Sequence, residues 1–237
     1  PSACQGQPLA ASQQLDCATG GVTVQARNVG TAALVCVVVG SGIMATQLSA
    51  DLGVDLLMNA IATVFALALL IFVFAPVSGA HFNPAVTLMQ LVRRSMPVGT
   101  ALTYGVAQVS GAVIGCVVAN LMFDLNALQI STHDRVTTGA LIGEVIATAG
   151  LLFVIETFVR RREQRLIPIA ASAWIGSAYF FTSSTSFANP AVTVGRVFSD
   201  TFAGIAPSSV FPFIIAQLVG AALGVALSSL TRSSEES

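Results

Sequence analysis

The sequence predicts an all-α membrane protein with six membrane-spanning helices and two re-entrant half-helices, arranged as an inverted repeat. Three observations carry that reading: a composition too apolar for water, six runs long enough to cross a bilayer, and a short motif that occurs twice at matching places. Of the 237 residues, 54% are hydrophobic and 9% charged, and the mean hydropathy is +0.82, whereas a soluble domain carries roughly 25% charged residues. All ten cationic residues are arginine, and a net charge near −1 leaves no basic surface for nucleic acid. Cys4, Cys17, Cys36 and Cys116 lack the close spacing of a metal site, so neither a metal nor another cofactor is expected. Cys36 and Cys116 lie in apolar runs as small hydrophobes, and Cys4 with Cys17 is a candidate disulfide.

A helix that crosses the hydrocarbon core needs roughly 20 mostly apolar residues. Stretches free of charge run from Asn28 to Ala50, Leu56 to Val92, Ser95 to Phe123, Val136 to Ile155 (broken only by Glu144), Leu166 to Gly195 and Thr201 to Thr231. Residues 1–25 are polar and small and read as a tail. Residues 26–232 then form one membrane domain, with repeat one at 26–123 and repeat two at 136–232, and residues 233–237 form a C-terminal tail. No cleavage signal is recognisable, which favours a plasma or bacterial inner membrane. Arg93 and Arg94, and Arg160, Arg161, Arg162 and Arg165, fall between runs two and three and between runs four and five. The excess of positive charge puts those loops, and with Arg27 and Arg232 both termini, on the cytoplasmic side.

Runs two and five are interrupted. Leu56 to Phe74 can cross alone, after which Ala75 to Asn83 breaks the pattern and Pro84 to Val92 resumes it; Leu166 to Phe181 gives way to Thr182 to Asn189 and then Pro190 onward. Irregular backbone at membrane depth persists only where protein or a wet cavity satisfies its polar groups. Both interruptions end alike, in Asn83-Pro84-Ala85-Val86-Thr87 and Asn189-Pro190-Ala191-Val192-Thr193, 106 residues apart. Ala107-Gln108, Gly111-Ala112 and Gly115 recur as Ala216-Gln217, Gly220-Ala221 and Gly224, and Thr31 matches Thr148. Three spans per half force the second half into the membrane upside down relative to the first. The two Asn-Pro-Ala turns then meet near the midplane. Asn is a favoured helix cap and Pro suits the first helical position, so two positive helix N-termini face one place and disfavour cations there. The Asn83 and Asn189 amides offer N–H donors to a passing oxygen, and a water held that way donates outward, which interrupts a proton wire.

At these residues the chain resembles the aquaporin, or major intrinsic protein, family of water and small-solute channels, over about residues 27 to 230. Ser78-Gly79-Ala80-His81, Gly30-Thr31 and Glu144 add to the resemblance. It implies six tilted helices plus two half-helices, a pore within each subunit, a homotetramer in membrane lipid, and passage of water and small neutral solutes. Selectivity then rests on pore diameter, lining groups and electrostatic barriers. Gly195 to Ile205 looks like the corresponding segment of a bacterial subgroup associated with arsenic.

Family members usually carry an arginine directly after the second Asn-Pro-Ala, and here Val192 stands there. Ungapped counting from the two Asn residues places Thr63, Ser177 and Ser186 with Val192 in the outer filter. Four small or medium side chains imply an opening wide enough for glycerol-sized solutes, with urea and the uncharged hydroxides of boron and arsenic as further candidates. Arg196, one helical turn beyond Val192, reads either as a displaced gatekeeper or as a partner of Asp200 or Asp134.

The resemblance further implies that Glu144 accepts N–H groups of a re-entrant loop. Arg27 occupies the matching place four residues before Thr31, so that half is either held differently or Arg27 only marks the end of the span. His81 is expected to bond the loop backbone, with pH gating as the alternative. Gln108 and Gln217 are expected to bond one loop each. Gly111, Gly115, Gly220 and Gly224 read as packing residues, His133 as solvated, and Tyr179, Phe180 and Phe181 as an interfacial belt or vestibule lining. A coupled transporter or an intramembrane hydrolase would need more buried acids and bases than these runs supply.

Overall fold

The computed structural model describes residues 11–231, and the described residues form eight α-helices and no strand. The helices are α1 (Ala11–Leu48), α2 (Leu52–Ser78), α3 (Pro84–Val92), α4 (Val98–Met122), α5 (Thr138–Arg160), α6 (Ile167–Phe181), α7 (Pro190–Gly195) and α8 (Pro207–Ser228). α1, α2, α4, α5 and α8 are long and apolar enough to cross a membrane. α6 has 15 residues, about 22 Å at 1.5 Å per residue, and a 3₁₀ turn at Gln164–Leu166 leads into it. Cys4, Arg232 and the tail 233–237 lie outside the described residues.

Two boundaries differ from the sequence reading. α1 begins at Ala11, so the helix takes in much of what composition marks as a tail: the small polar residues there do not break a helix. α2 does not stop at Phe74. It runs through Pro76 to Ser78 and ends where Gly79 adopts the left-handed conformation, φ 71°, donating its N–H to the Ala75 carbonyl. Glycine takes that φ at no steric cost and so terminates the helix where Pro76 alone does not.

Packing repeats between the halves. α1 packs on α4 and α2 as α5 packs on α8 and α6, while α2 against α6 closes the bundle. Each half-helix touches α4 and α8. The long contacts are close because Gly111 and Gly115 lie over the carbonyls of Asn28 and Ala32, and Gly220 and Gly224 over those of Val145 and Ala149; a Cβ at any of the four would come within 2.4 Å of the facing oxygen. Cys116 is buried and Cys36 half-buried in the α1–α4 core, both as free thiols. Large apolar side chains such as Phe65, Leu69, Leu102 and Phe211 point outward, as a surface against hydrocarbon requires.

Among the described residues, the end bearing the arginine clusters holds one buried acid. Glu156 of α5 is fully buried and pairs with Arg93, the residue that caps the C-terminus of α3, and with Arg160 at 3.9 Å. Arg93 therefore ties the first half-helix to α5 as well as adding charge to its loop.

Candidate functional site

The two half-helices meet tip to tip inside the bundle. The Asn83 Oδ1 caps α3 by accepting from the Ala85 N–H at 2.9 Å, and Asn189 caps α7 by accepting from Ala191 and Val192 at 3.0 and 3.3 Å. Each amide also reaches across: Asn83 Nδ2 donates to the Ala188 carbonyl at 2.7 Å, and Asn189 Nδ2 donates to the Phe82 carbonyl at 2.8 Å. The bonds are reciprocal, each Asn holding the residue that precedes the other. An amide nitrogen carries two N–H groups, so one donor of each Asn is committed to the clasp and one is left for the cavity that both residues line.

That cavity has a volume of about 310 Å³. It is bounded toward the arginine-rich end by Gln90 and Gln164 and toward the opposite end by Tyr179 and Arg196. Facing the two Asn tips is an apolar wall from α1, α2, α5 and α6, including Val38, Ile71, Leu151 and Ile175. Polar groups thus lie on one side of the path and hydrocarbon on the other.

Both loops leading into the tips carry strained backbone. Ala80, Thr185, Ser186 and Ala188 have φ of 51°, 59°, 54° and 46°, a region that costs a non-glycine residue roughly 1–2 kcal/mol. Buried side chains hold the loops in place. In the first, the Arg27 guanidinium donates to the carbonyls of Ser78 and His81 and lies 3.7 Å over the Tyr104 ring, while Gln108 donates to the His81 carbonyl and, at 2.9 Å, to Thr87 Oγ1. In the second, the Glu144 carboxylate accepts from the N–H groups of Phe187 and Ala188, both at 2.9 Å. Gln217 donates to Glu144 at 2.6 Å and to Thr193 Oγ1 at 2.8 Å. Arg27 therefore does hold its half by a different bond, and it is not a terminal marker.

The remaining sequence-derived positions divide. Thr63, Ser186, Val192 and Arg196 line the cavity, and the Ser186 hydroxyl is buried with no partner among the described residues. Ser177 does not line it: its side chain is exposed on the outer surface, with the hydroxyl donating to Ala173 at 2.9 Å. The ungapped count fails because two residues turn a helix by about 200°; the inward face of α6 is Pro168, Ala171, Ile175 and Tyr179. Tyr179 takes the place assigned to Ser177, its hydroxyl donating to Thr63 at 3.2 Å, and only Phe180 and Phe181 face outward. The helical spacing of 168, 171, 175 and 179 was the available signal. His81 lines the cavity, but its carbonyl rather than its imidazole makes the loop contacts, and Nδ1 has no partner among the described residues.

Arg196 is buried, donates through Nε to the Ala203 carbonyl, and lies 3.5 Å over the Phe187 ring. The proposed carboxylate partners are engaged elsewhere, Asp200 with Thr132 and, at 3.8 Å, His133, and Asp134 with Ser209. Phe187 and Arg135, which also approaches that ring, were not singled out by the sequence because neither sits in a motif.

Comparison with known proteins agrees with this architecture. The family profile described as "Major intrinsic protein" matches residues 21–186. "Aquaglyceroporin AqpS" of Rhizobium meliloti (strain 1021) is 43% identical over 202 residues, covering 85% of this chain and 86% of that protein. "Probable aquaporin TIP2-2" of Arabidopsis thaliana is 30% identical over 199 residues, 78% of this chain and 77% of that one. The solved structure of the aquaglyceroporin from Plasmodium falciparum superposes with a TM-score of 0.65 over 89% of this chain and 95% of that chain, at 22% identity, a likeness of fold.

Proposed function

The chain belongs to the major intrinsic protein family, and from that premise we propose that it conducts glycerol-sized neutral solutes together with water through the cavity beside the Asn83–Asn189 clasp. It is an integral membrane channel for water and small solutes and not an enzyme. The solute range and the residue roles are our reading.

The observation that carries the reading is the reciprocal clasp with Val192 beside it. Asn83-Pro84-Ala85 and Asn189-Pro190-Ala191 set the midpoint of the path, where the spare N–H of each amide donates to the oxygen of a passing water or hydroxyl. A water so held turns its own hydrogens away toward both ends, and protons find no continuous wire. Two helix N-termini at the same point raise the energy of cations. The outer filter is Thr63, Tyr179, Ser186, Val192 and Arg196, with Tyr179 in place of Ser177. Val192 leaves an apolar wall where the family usually has arginine. The unpartnered Ser186 hydroxyl gives a hydrogen-bonding position on the same stretch, so a solute with hydroxyls along one edge and carbon along the other is matched. Urea and the uncharged hydroxides of boron and arsenic fit the same description. His81, Gln108, Glu144 and Gln217 support the loops. By the arginine asymmetry both termini face the cytoplasm, the membrane is the plasma or inner membrane, and the assembly is a homotetramer as in the family.

Stopped-flow light scattering of proteoliposomes with water, glycerol, urea and arsenite tests this. Val192→Arg should lower glycerol flux relative to water flux by about tenfold, the scale on which one contact discriminates. Equal loss for both solutes, or no glycerol flux in the unsubstituted protein, refutes the wide filter.

A further inference from the structure

We propose that Arg135 is the positioning residue of the outer filter, acting on Arg196 through the three consecutive carbonyls of Phe202, Ala203 and Gly204. The inference rests on the channel reading and adds to it a residue that no motif marks. Arg135 follows Asp134 in the loop between α4 and α5, where sequence gives it no role.

The geometry is specific. Arg135 Nε donates to the Gly204 carbonyl at 2.6 Å and its Nη2 to the Phe202 carbonyl at 2.8 Å. The carbonyl between them, of Ala203, accepts from Arg196 Nε. These carbonyls belong to a turn over residues 201–204 that the Gly204 N–H closes by donating to the Thr201 carbonyl at 2.8 Å, so one guanidinium fixes the two flanking carbonyls and with them the position of the middle one, which meets the other guanidinium. Both cations also share a ring: Arg196 lies 3.5 Å and Arg135 5.3 Å from the centroid of Phe187. That ring is itself held, since the Phe187 N–H is bound by Glu144.

The strap formed by residues 202–204 has anchors around it. The Ala206 N–H donates to the His133 carbonyl at 2.7 Å, the Arg135 N–H to Ser209 Oγ at 3.0 Å, and Ser209 Oγ to Asp134 at 2.6 Å. Gly204 allows the tight path, because a Cβ there would sit 2.3 Å from the Ser199 carbonyl and 2.4 Å from Ser131 Oγ. An unbraced arginine one turn beyond Val192 has rotamers that leave the path. Arg135 removes that freedom by fixing the acceptor before Arg196 meets it. The arginine that this chain lacks next to its second Asn-Pro-Ala is thus replaced from the end of the half-helix, held in place by a second arginine that does not touch the cavity.

The test is the glycerol-to-water permeability ratio in proteoliposomes. Releasing Arg196 widens the path, so Arg135→Gln should raise the ratio by about tenfold, Arg135→Lys should raise it by less, and Ser177→Ala should leave it unchanged. In an Arg196→Ala background, Arg135→Gln should change the ratio no further, because it acts only through Arg196. An unchanged ratio in Arg135→Gln, or the full tenfold effect persisting without Arg196, overturns the proposal. Should Arg135→Gln not assemble, Arg135→Lys decides by the same ratio, an unchanged value overturning the inference. Failure of the channel reading is separate and shows in the unsubstituted protein as no flux above empty vesicles.

Discussion

The two re-entrant loops end in the same motif and are held by opposite charges. Arg27 donates to carbonyls of the first loop, and Glu144 accepts N–H groups of the second, although the two residues stand at matching places, each four before a threonine of the repeat. The reason lies in what each loop leaves unpaired. In the first, Gly79 N–H donates to Ala75, Ala80 N–H to Ser78 Oγ and Phe82 N–H to Ala80. These three donors are satisfied within the segment, and it is the Ser78 and His81 carbonyls that turn to the side chain from α1. In the second, Thr185 N–H is satisfied by Thr182 and Ser186 N–H by Ser184 Oγ, but Phe187 and Ala188 N–H have no local acceptor and need a carboxylate. A peptide offers both a donor and an acceptor; which one the loop presents decides the sign of the side chain that must support it. Symmetry of fold therefore does not require symmetry of charge.

Removing Glu144 should be the costliest single change. Glu144→Ala leaves two buried N–H groups without their acceptor and removes one of the two bonds of the Gln217 amide, at ~1–3 kcal/mol each, and should lower unfolding stability by about 3–5 kcal/mol. Thermal unfolding in detergent measures this, with loss of water flux alongside. A cost below about 1 kcal/mol would mean the second loop holds itself.

Arg27→Glu is the sharper test of the comparison, with a smaller expected effect. Were the repeat position intrinsically suited to an acid, the substitution would be neutral or stabilising. We expect a loss of about 2–4 kcal/mol, because a carboxylate would face the Ser78 and His81 carbonyls with no N–H to accept. The effect stays below that of Glu144 because Gln108 still donates to His81. Stability equal to the unsubstituted protein would break the donor–acceptor argument.

Much of this architecture was legible in the sequence because its signals are local. Charge-free runs mark spans, Asn-Pro marks a helix start, and a motif repeated in a second set of three spans marks inversion. The glycine pairs belong to the same class. What was not legible depends on angles and on distant partners. Ser177 was placed in the filter by counting, but a helix presents one residue in three or four to a given side, and Tyr179 is the one that faces in. The end of α2 was misplaced since Pro76 looks like a breaker, whereas Gly79 is the actual stop. Arg27 was recognised as a departure, yet the bonds of Arg27 depend on which peptide groups the first loop leaves free, and that follows from backbone conformation. Arg135 and Phe187 gave no signal, for their contacts are with residues distant in sequence: Arg135 reaches the carbonyls of Phe202 and Gly204, and the Phe187 ring packs under Arg196.

The smallest expected effect concerns acid sensitivity, which should fall on the second repeat. Its strap is tied down by exposed carboxylates: the Asp134 carboxyl is held below the usual carboxylate range by the Ser209 hydroxyl and then the Val136 N–H, and the Asp200 carboxyl is lowered chiefly by the Thr132 N–H. A carboxyl whose folded pKa is depressed stabilises the protein above its unfolded value, about 3.9 for aspartate, and that contribution is lost as the pH falls through the folded value. The melting temperature should therefore drop as the pH falls below about 4, and the combined Asp134→Asn and Asp200→Asn variant should drop less steeply over the same range. The difference will be modest, since both groups are exposed and water screens them. An acid limb as steep in the double variant as in the unsubstituted protein would place the sensitivity in other carboxyls and remove the strap from the contrast between the two halves.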